Sequence, residues 1–234
     1  MIDFPDAIFF DLDGTLLDPS NATMEADWRA SCEVCCDGSY EVEQLMPHVD
    51  AVRTWFWQDP ERARRGRMDL NWARTQIVRD AFSRAGLPDN EALASRIGRD
   101  YFERRESAMQ LYPEAISLLE RVRAEGVRTA LITNGGAEMQ RGKVVRFELA
   151  PFFDCIVIEG EFGVGKPDER VFRHALASTG ADPDRAWMVG DNPDADIAPA
   201  VALGLHAVWV NEDGVEAPEH VRPHRVVRSI AELL

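Results

Sequence analysis

Five short apolar runs, residues 8–11, 129–133, 155–158, 186–189 and 207–210, alternate with stretches of helical patterning, and this alternation constrains the fold more than any other feature. The first, Ile8-Phe9-Phe10, is uninterrupted and rich in residues that suit a sheet, so it reads as a strand buried on both faces. Helical stretches such as 113–125 and 168–179 stop at Gly126 and Gly180, residues that accept the left-handed backbone of a helix end. The expected fold is α/β, with a Rossmann-like, doubly wound parallel sheet. Open parallel sheets take their ligands at the carboxyl ends of the strands. Polar residues gather at those ends here: Asp11 and Asp13, Thr133 and Asn134, then Asp191 and Asp196.

Directly behind the first run stands Asp11-Leu12-Asp13-Gly14-Thr15. In extended backbone, residues two apart point the same way, so Asp11 and Asp13 are expected to crowd their charges while Gly14 permits a turn. Such crowding calls for a hard divalent cation with oxygen ligands, Mg2+ above all. Phosphoryl transfer needs an in-line nucleophile, cations around the equatorial oxygens and a group to protonate the leaving oxygen. Asp11 supplies a nucleophile able to form an aspartyl phosphate, and Asp13 an acid that later acts as base.

Lysine is rare: Lys143 and Lys166 stand against twenty-four arginines. Lys166, between Gly165 and Pro167, suggests a need for a compact point charge that neutralises nucleophile and bound phosphate together. Lys143, in Met139-Gln140-Arg141-Gly142-Lys143, is expected on a helix surface. Thr133 and Asn134 end a strand, where a hydroxyl and nearby backbone N–H groups suit a phosphate oxygen.

Four segments in order, Asp11-Leu12-Asp13-Gly14-Thr15, Leu131-Ile132-Thr133-Asn134-Gly135, Gly165-Lys166-Pro167 and Val189-Gly190-Asp191-Asn192-Pro193-Asp194-Ala195-Asp196, resemble the motifs of the haloacid dehalogenase (HAD) superfamily. The resemblance is in particular to its phosphatases with a helical cap inserted after the first motif. The resemblance implies that Asp11 is the nucleophile and Asp13 the acid and base. It also implies that Mg2+ is held by the Asp11 side chain, the Asp13 backbone carbonyl and Asp191, with Asp196 orienting neighbours of the metal. Thr133, Asn134 and Lys166 bind the substrate phosphate in this reading, and Asp194 has no role and faces solvent. Residues 1–17 and 112–234 form the catalytic core, and 18–111 the cap that selects substrate.

The expected cap segment lacks the strand rhythm and shows helical patterning through 41–57, 69–85 and 91–109. It carries 13 basic and 17 acidic residues, so most of the chain's formal charge of −15 lies on the core. A lid of this kind excludes water on closing and releases product on opening. Trp28, Trp55, Trp57, Trp72, Arg62, Arg64, Arg65, Arg67 and Arg74 are candidate substrate contacts, Trp57 and Arg65 foremost among them.

The negative charge and a pI near 4.7 argue against binding a nucleic-acid backbone. No segment reaches the roughly twenty apolar residues of a membrane span, and Met1-Ile2-Asp3-Phe4-Pro5-Asp6 lacks the features of a secretory signal, so a cytoplasmic location is expected. Cys32, Cys35 and Cys36 have no matching cysteine pair or histidine cluster, and are expected to be structural thiols with Cys32 and Cys36 on one helix face. Cys155 reads as a buried strand residue. The expected activity is hydrolysis of a small phosphomonoester such as a sugar phosphate, a nucleotide or a phosphoglycolate-like acid. A phosphomutase, a haloacid dehalogenase and a non-catalytic regulatory module are the alternatives. Dehalogenases of the family usually lack the second aspartate, which Asp13 supplies here. Oligomeric state is not legible.

Overall fold

A computed structural model of the chain describes residues 5–18, 23–36 and 38–234. The first part contains β1 (Ala7–Phe10), β2 (Leu17–Asp18), α1 (Met24–Cys35), α2 (Val42–Gln58), α3 (Pro60–Met68), α4 (Leu70–Arg84) and α5 (Glu91–Ala108). There follow β3 (Gln110–Leu111), α6 (Ala115–Ala124), β4 (Arg128–Thr133), α7 (Ala137–Arg146), β5 (Cys155–Ile158) and α8 (Glu159–Phe162). The chain continues through α9 (Glu169–Thr179), β6 (Ala186–Gly190), α10 (Ala198–Ala202), β7 (His206–Val210) and β8 (Arg225–Val227). The described residues separate into two compact units, one drawn from 1–18 and 110–234, the other from 19–109.

In the first unit six parallel strands run in the order β5-β4-β1-β6-β7-β8. β1 lies at the centre, with Phe10 opposite Leu131 on one side and Val189 on the other. The order reverses about β1, so helices cover both faces and a crevice opens at the carboxyl ends of β4, β1 and β6. Alternation along β1 sends Ala7 and Phe9 into the apolar cluster with Ile132, Phe172 and Met188. Ile8 and Phe10 point to the opposite face and are equally buried. β2 and β3 form a short antiparallel pair at the point where the chain leaves this unit and returns.

The sheet is the expected one, with β8 added. Arg225–Val227 is only three residues long and carries an arginine, as suits an edge strand that must not recruit another chain. Its brevity hides it from any periodicity.

The second unit is helical, its core built from Trp28, Leu45, Val49, Phe56, Ile77, Phe82, Ile97 and Tyr101. Trp28 is fully buried, its ring stacked on Tyr101 at 3.9 Å between centroids, and is a core residue. Arg62 lies over exposed Trp55 and Arg65 over half-buried Trp72, each 3.7 Å from the ring centroid. Trp57, Arg64 and Arg65 are exposed, while Arg74 is half-buried against Tyr101 and Phe102. α1 ends at Cys35, and Cys36 turns into extended backbone. Cys32 and Cys35 are therefore the inward pair and Cys36 is exposed, which corrects the expected Cys32/Cys36 face. Burial pushes the Cys32 thiol up to about 12, which makes it a poor nucleophile. Cys155 is half-buried rather than buried. No helix of the described residues is long and apolar enough to cross a membrane.

Candidate active site

Asp11 follows β1 and donates its backbone N–H to the Val189 carbonyl at 2.9 Å, which seats it between β1 and β6. Lys166 donates from Nζ to Asp11 Oδ1 at 2.6 Å and lies 2.6 Å from Asp196 Oδ1. Asp196, fully buried in the wide turn Pro193–Ile197 after β6, also accepts from the Asn192 N–H at 3.0 Å through Oδ2. Asp191 stands at the end of β6, close enough to Asp11 to share a proton with it. The carboxyls of Asp11, Asp191 and Asp196 each offer an oxygen within 4.8 Å of the others.

The turn that brings this about depends on Gly14. Its N–H bonds the Leu17 carbonyl at 2.8 Å, its φ is +86°, and a Cβ there would come within 2.4 Å of Asp191 Oδ2. Any side chain would meet both the strain of left-handed backbone and a carboxylate. The same turn carries Asp13 away from Asp11, because the chain leaves extended geometry between the two aspartates. The crowding expected of Asp11 and Asp13 is thus corrected: Asp11 is crowded by Asp191 and Asp196. The Asp13 carboxylate goes elsewhere, to Lys143 Nζ at 2.7 and 2.9 Å and Gln140 Nε2 at 2.9 Å.

Lys143 is therefore not on a helix surface. On α7 the buried residues are Gln140, Lys143 and Val144, so a helix face with two polar side chains points inward. Read as a pattern, such a face looks solvated. The scarcity of lysine, which drew attention to Lys166, applied equally to Lys143.

Thr133, at the end of β4, is buried and its hydroxyl accepts from Gln140 Nε2. The Asn134 carboxamide is engaged at both ends by the Lys166 backbone, donating to its carbonyl and accepting from its N–H, each at 2.7 Å. Its side chain braces the lysine, and a Cβ at Gly165 would come within 2.4 Å of Asn134 Oδ1. Asp194 is exposed, 2.6 Å from His220.

Charge divides the site into two parts. Asp11, Asp191 and Asp196 with Lys166 sum to −2 when all are ionised, whereas Asp13 and Lys143 sum to zero. Burial, together with Asp196 and Asp191, pushes the Asp11 carboxyl well above the usual range against the pull of Lys166. Burial and then Asp196 raise Asp191 to about 6. Burial disfavours the charged form of Lys166, but the carboxylates of Asp11 and Asp196 outweigh it and hold the ammonium above a lysine's ordinary value. Clustered carboxylate oxygens with an excess charge of −2 are the donor set a small hard divalent cation requires, so the residues fit one.

A folded-state carboxyl pKa above its unfolded value means that the native state binds protons more tightly. The associated stability is present below the unfolded value of 3.8 and is lost as pH rises through about 6. A divalent cation bound there would replace those protons. Saturating MgCl2 is therefore expected to raise the melting temperature by about 5–10 °C at pH 8 and far less at pH 5. Thermal melts in MgCl2 and in EDTA check this, and equal shifts at both pH values would contradict it.

Comparison with known proteins places this geometry in context. Phosphoserine phosphatase of Thermus thermophilus is 42% identical over 143 residues, which span 60% of this chain and 56% of that protein. N-acylneuraminate-9-phosphatase of Rattus norvegicus is 29% identical over 97% of this chain and 91% of its own length. The HAD-hydrolase YfnB of Bacillus subtilis, solved bound to magnesium, has the same fold, with a TM-score of 0.75 at 21% identity over 99% of this chain and 97% of that one. A family model described as haloacid dehalogenase-like hydrolase matches residues 5–204, which include every residue of the site, and the chain belongs to that family.

Proposed function

We propose that the protein is a Mg2+-dependent phosphatase that hydrolyses a small phosphomonoester through an aspartyl phosphate on Asp11. The observation that carries this reading is the division of labour between the two aspartates. Asp11 is buried in a cluster of excess negative charge with Lys166 at 2.6 Å, while Asp13 is held separately on its own lysine. A nucleophile and a proton carrier need this separation, since each works in the protonation state the other must avoid. The names of the relatives, phosphatases of phosphoserine and of N-acylneuraminate 9-phosphate, support the same class.

The Asp11 side chain, the Asp13 backbone carbonyl and Asp191 would hold the Mg2+, with Asp196 orienting Lys166 and the Asn192 turn. When bound, the ion supplies charge neutralisation between nucleophile and phosphate. Lys166 draws the phosphate oxygens toward Asp11, and Thr133 with the backbone N–H groups after β4 receives another oxygen. The Asp11 carboxylate attacks phosphorus. As the ester P–O bond breaks, the Asp13 proton passes to the leaving alcohol oxygen. Asp13, now ionised, takes a proton from the water that attacks the phosphorus of the aspartyl phosphate, and inorganic phosphate leaves. Residues 18–111 select the substrate in this reading, with Trp57 and Arg65 the foremost candidates for contact.

Phosphate release from sugar phosphates, nucleoside monophosphates, phosphoserine, phosphoglycolate and acyl phosphates, in MgCl2 and in EDTA, tests the proposal. Release in MgCl2 that falls at least ~100-fold in EDTA is expected. Halide release from a 2-haloacid without Mg2+, or isomerised sugar phosphate without free phosphate, would overturn it.

A further inference from the structure

Lys143 and Gln140 sit three residues apart on α7, so both side chains reach the same place. Lys143 is 7% exposed, and an ammonium buried to that degree needs an opposite charge, which Asp13 provides. Gln140 is held on its own account. One N–H of its Nε2 goes to Asp13 Oδ2 and the other to Thr133 Oγ1, and Gly135 packs against its side chain, where a Cβ would lie 3.0 Å from Gln140 Cγ. An ionised carboxylate has about four lone-pair sites. Oδ2 of Asp13 receives both Gln140 and Lys143, while Oδ1 receives Lys143 alone. Among the described residues one site stays open, on Oδ1.

We infer that Lys143 and Gln140 are positioning residues for Asp13, fixing the orientation of its carboxyl so that the open side of Oδ1 is the side it presents to the leaving oxygen. The inference rests on the phosphatase reading and adds to it. When the ester bond breaks, Asp13 gives up its proton to the leaving oxygen with its carboxyl held in place, and the carboxylate that forms is paired with the Lys143 ammonium. A lysine that instead served to bind phosphate would act on every substrate through its charge. Its loss would weaken binding of every substrate alike.

The test compares two leaving groups. The parameter kcat/KM reports steps through the first irreversible one, which includes departure of the alcohol. An alkyl phosphate needs its leaving oxygen protonated, whereas p-nitrophenyl phosphate expels a stable phenolate unaided. Lys143→Met is expected to lower kcat/KM for the alkyl substrate by about 100-fold and for p-nitrophenyl phosphate by less than about 3-fold. Asp13→Ala should show the same selective loss, and adding Lys143→Met to it should cost nothing further. Gln140→Met, which strands no buried cation, repeats the comparison if Lys143→Met folds poorly, with the same selective loss expected. Equal losses on both substrates, or losses that add in the double variant, would overturn the inference alone. A wild type inert toward both substrates in MgCl2 would overturn the phosphatase reading and this inference with it.

Discussion

Asp11→Asn is expected to lower kcat at least ~10⁴-fold, about 5.5 kcal/mol of transition-state stabilisation, while the protein melts at the same temperature or higher. The two halves of this expectation have different causes. A carboxamide is a far weaker nucleophile than a carboxylate, so the aspartyl phosphate does not form. Stability survives because the asparagine carbonyl still accepts from Lys166 Nζ, and Lys166 keeps Asp196 as its counter-ion at 2.6 Å. One negative charge also leaves a cluster whose crowding raises both Asp11 and Asp191 above the usual carboxylate range. Any gain should appear at pH 8 without metal, where the crowding is greatest. Phosphate release and thermal melts in EDTA measure the two halves independently. Residual turnover above about 1% of wild type would place the nucleophile elsewhere.

Lys166→Met is expected to behave in the opposite way, losing stability and activity together. Its Nζ is the ammonium that meets both Asp11 and Asp196 at 2.6 Å, and it is 4% exposed. Removing it leaves two buried carboxylates without their cation, a change that costs about 3–5 kcal/mol. The phosphate loses a charge in the same step, for a further ~10²–10³-fold in kcat. Adding Asp196→Asn separates these effects. It removes one of the two stranded charges, so urea denaturation should show much of the stability restored, while turnover stays low. If the second substitution restored turnover as well, Lys166 would matter only as a brace for Asp196.

The strand ends that place the carboxylates were legible because each strand is an apolar run long enough to stand out, and a parallel sheet delivers such runs to one edge. The direction taken by Asp13 was not. Alternation along an extended chain puts Asp11 and Asp13 side by side, but the turn that Gly14 completes with φ +86° already begins at Leu12, between the two aspartates. A single glycine signals that a turn is possible without telling at which residue the turn begins. α7 misled for a different reason. Its inward face carries Gln140 and Lys143, and patterns of hydrophobicity assume that inward means apolar. That assumption fails where a helix faces a functional crevice, since the polar side chains there are satisfied by one another. The brace between Asn134 and the Lys166 backbone joins residues thirty-two positions apart and leaves no local mark at all.

Both lysines of the chain are inside, Lys143 at 7% and Lys166 at 4% exposure, and every other cationic side chain apart from histidine is a guanidinium. The exterior therefore presents no ε-amine. On side chains, acetylation, ubiquitin attachment and succinimidyl cross-linking act on that amine, so these chemistries find no lysine target on the folded surface. An amine-directed reagent that does react with a lysine has therefore reached a side chain that the folded protein keeps buried.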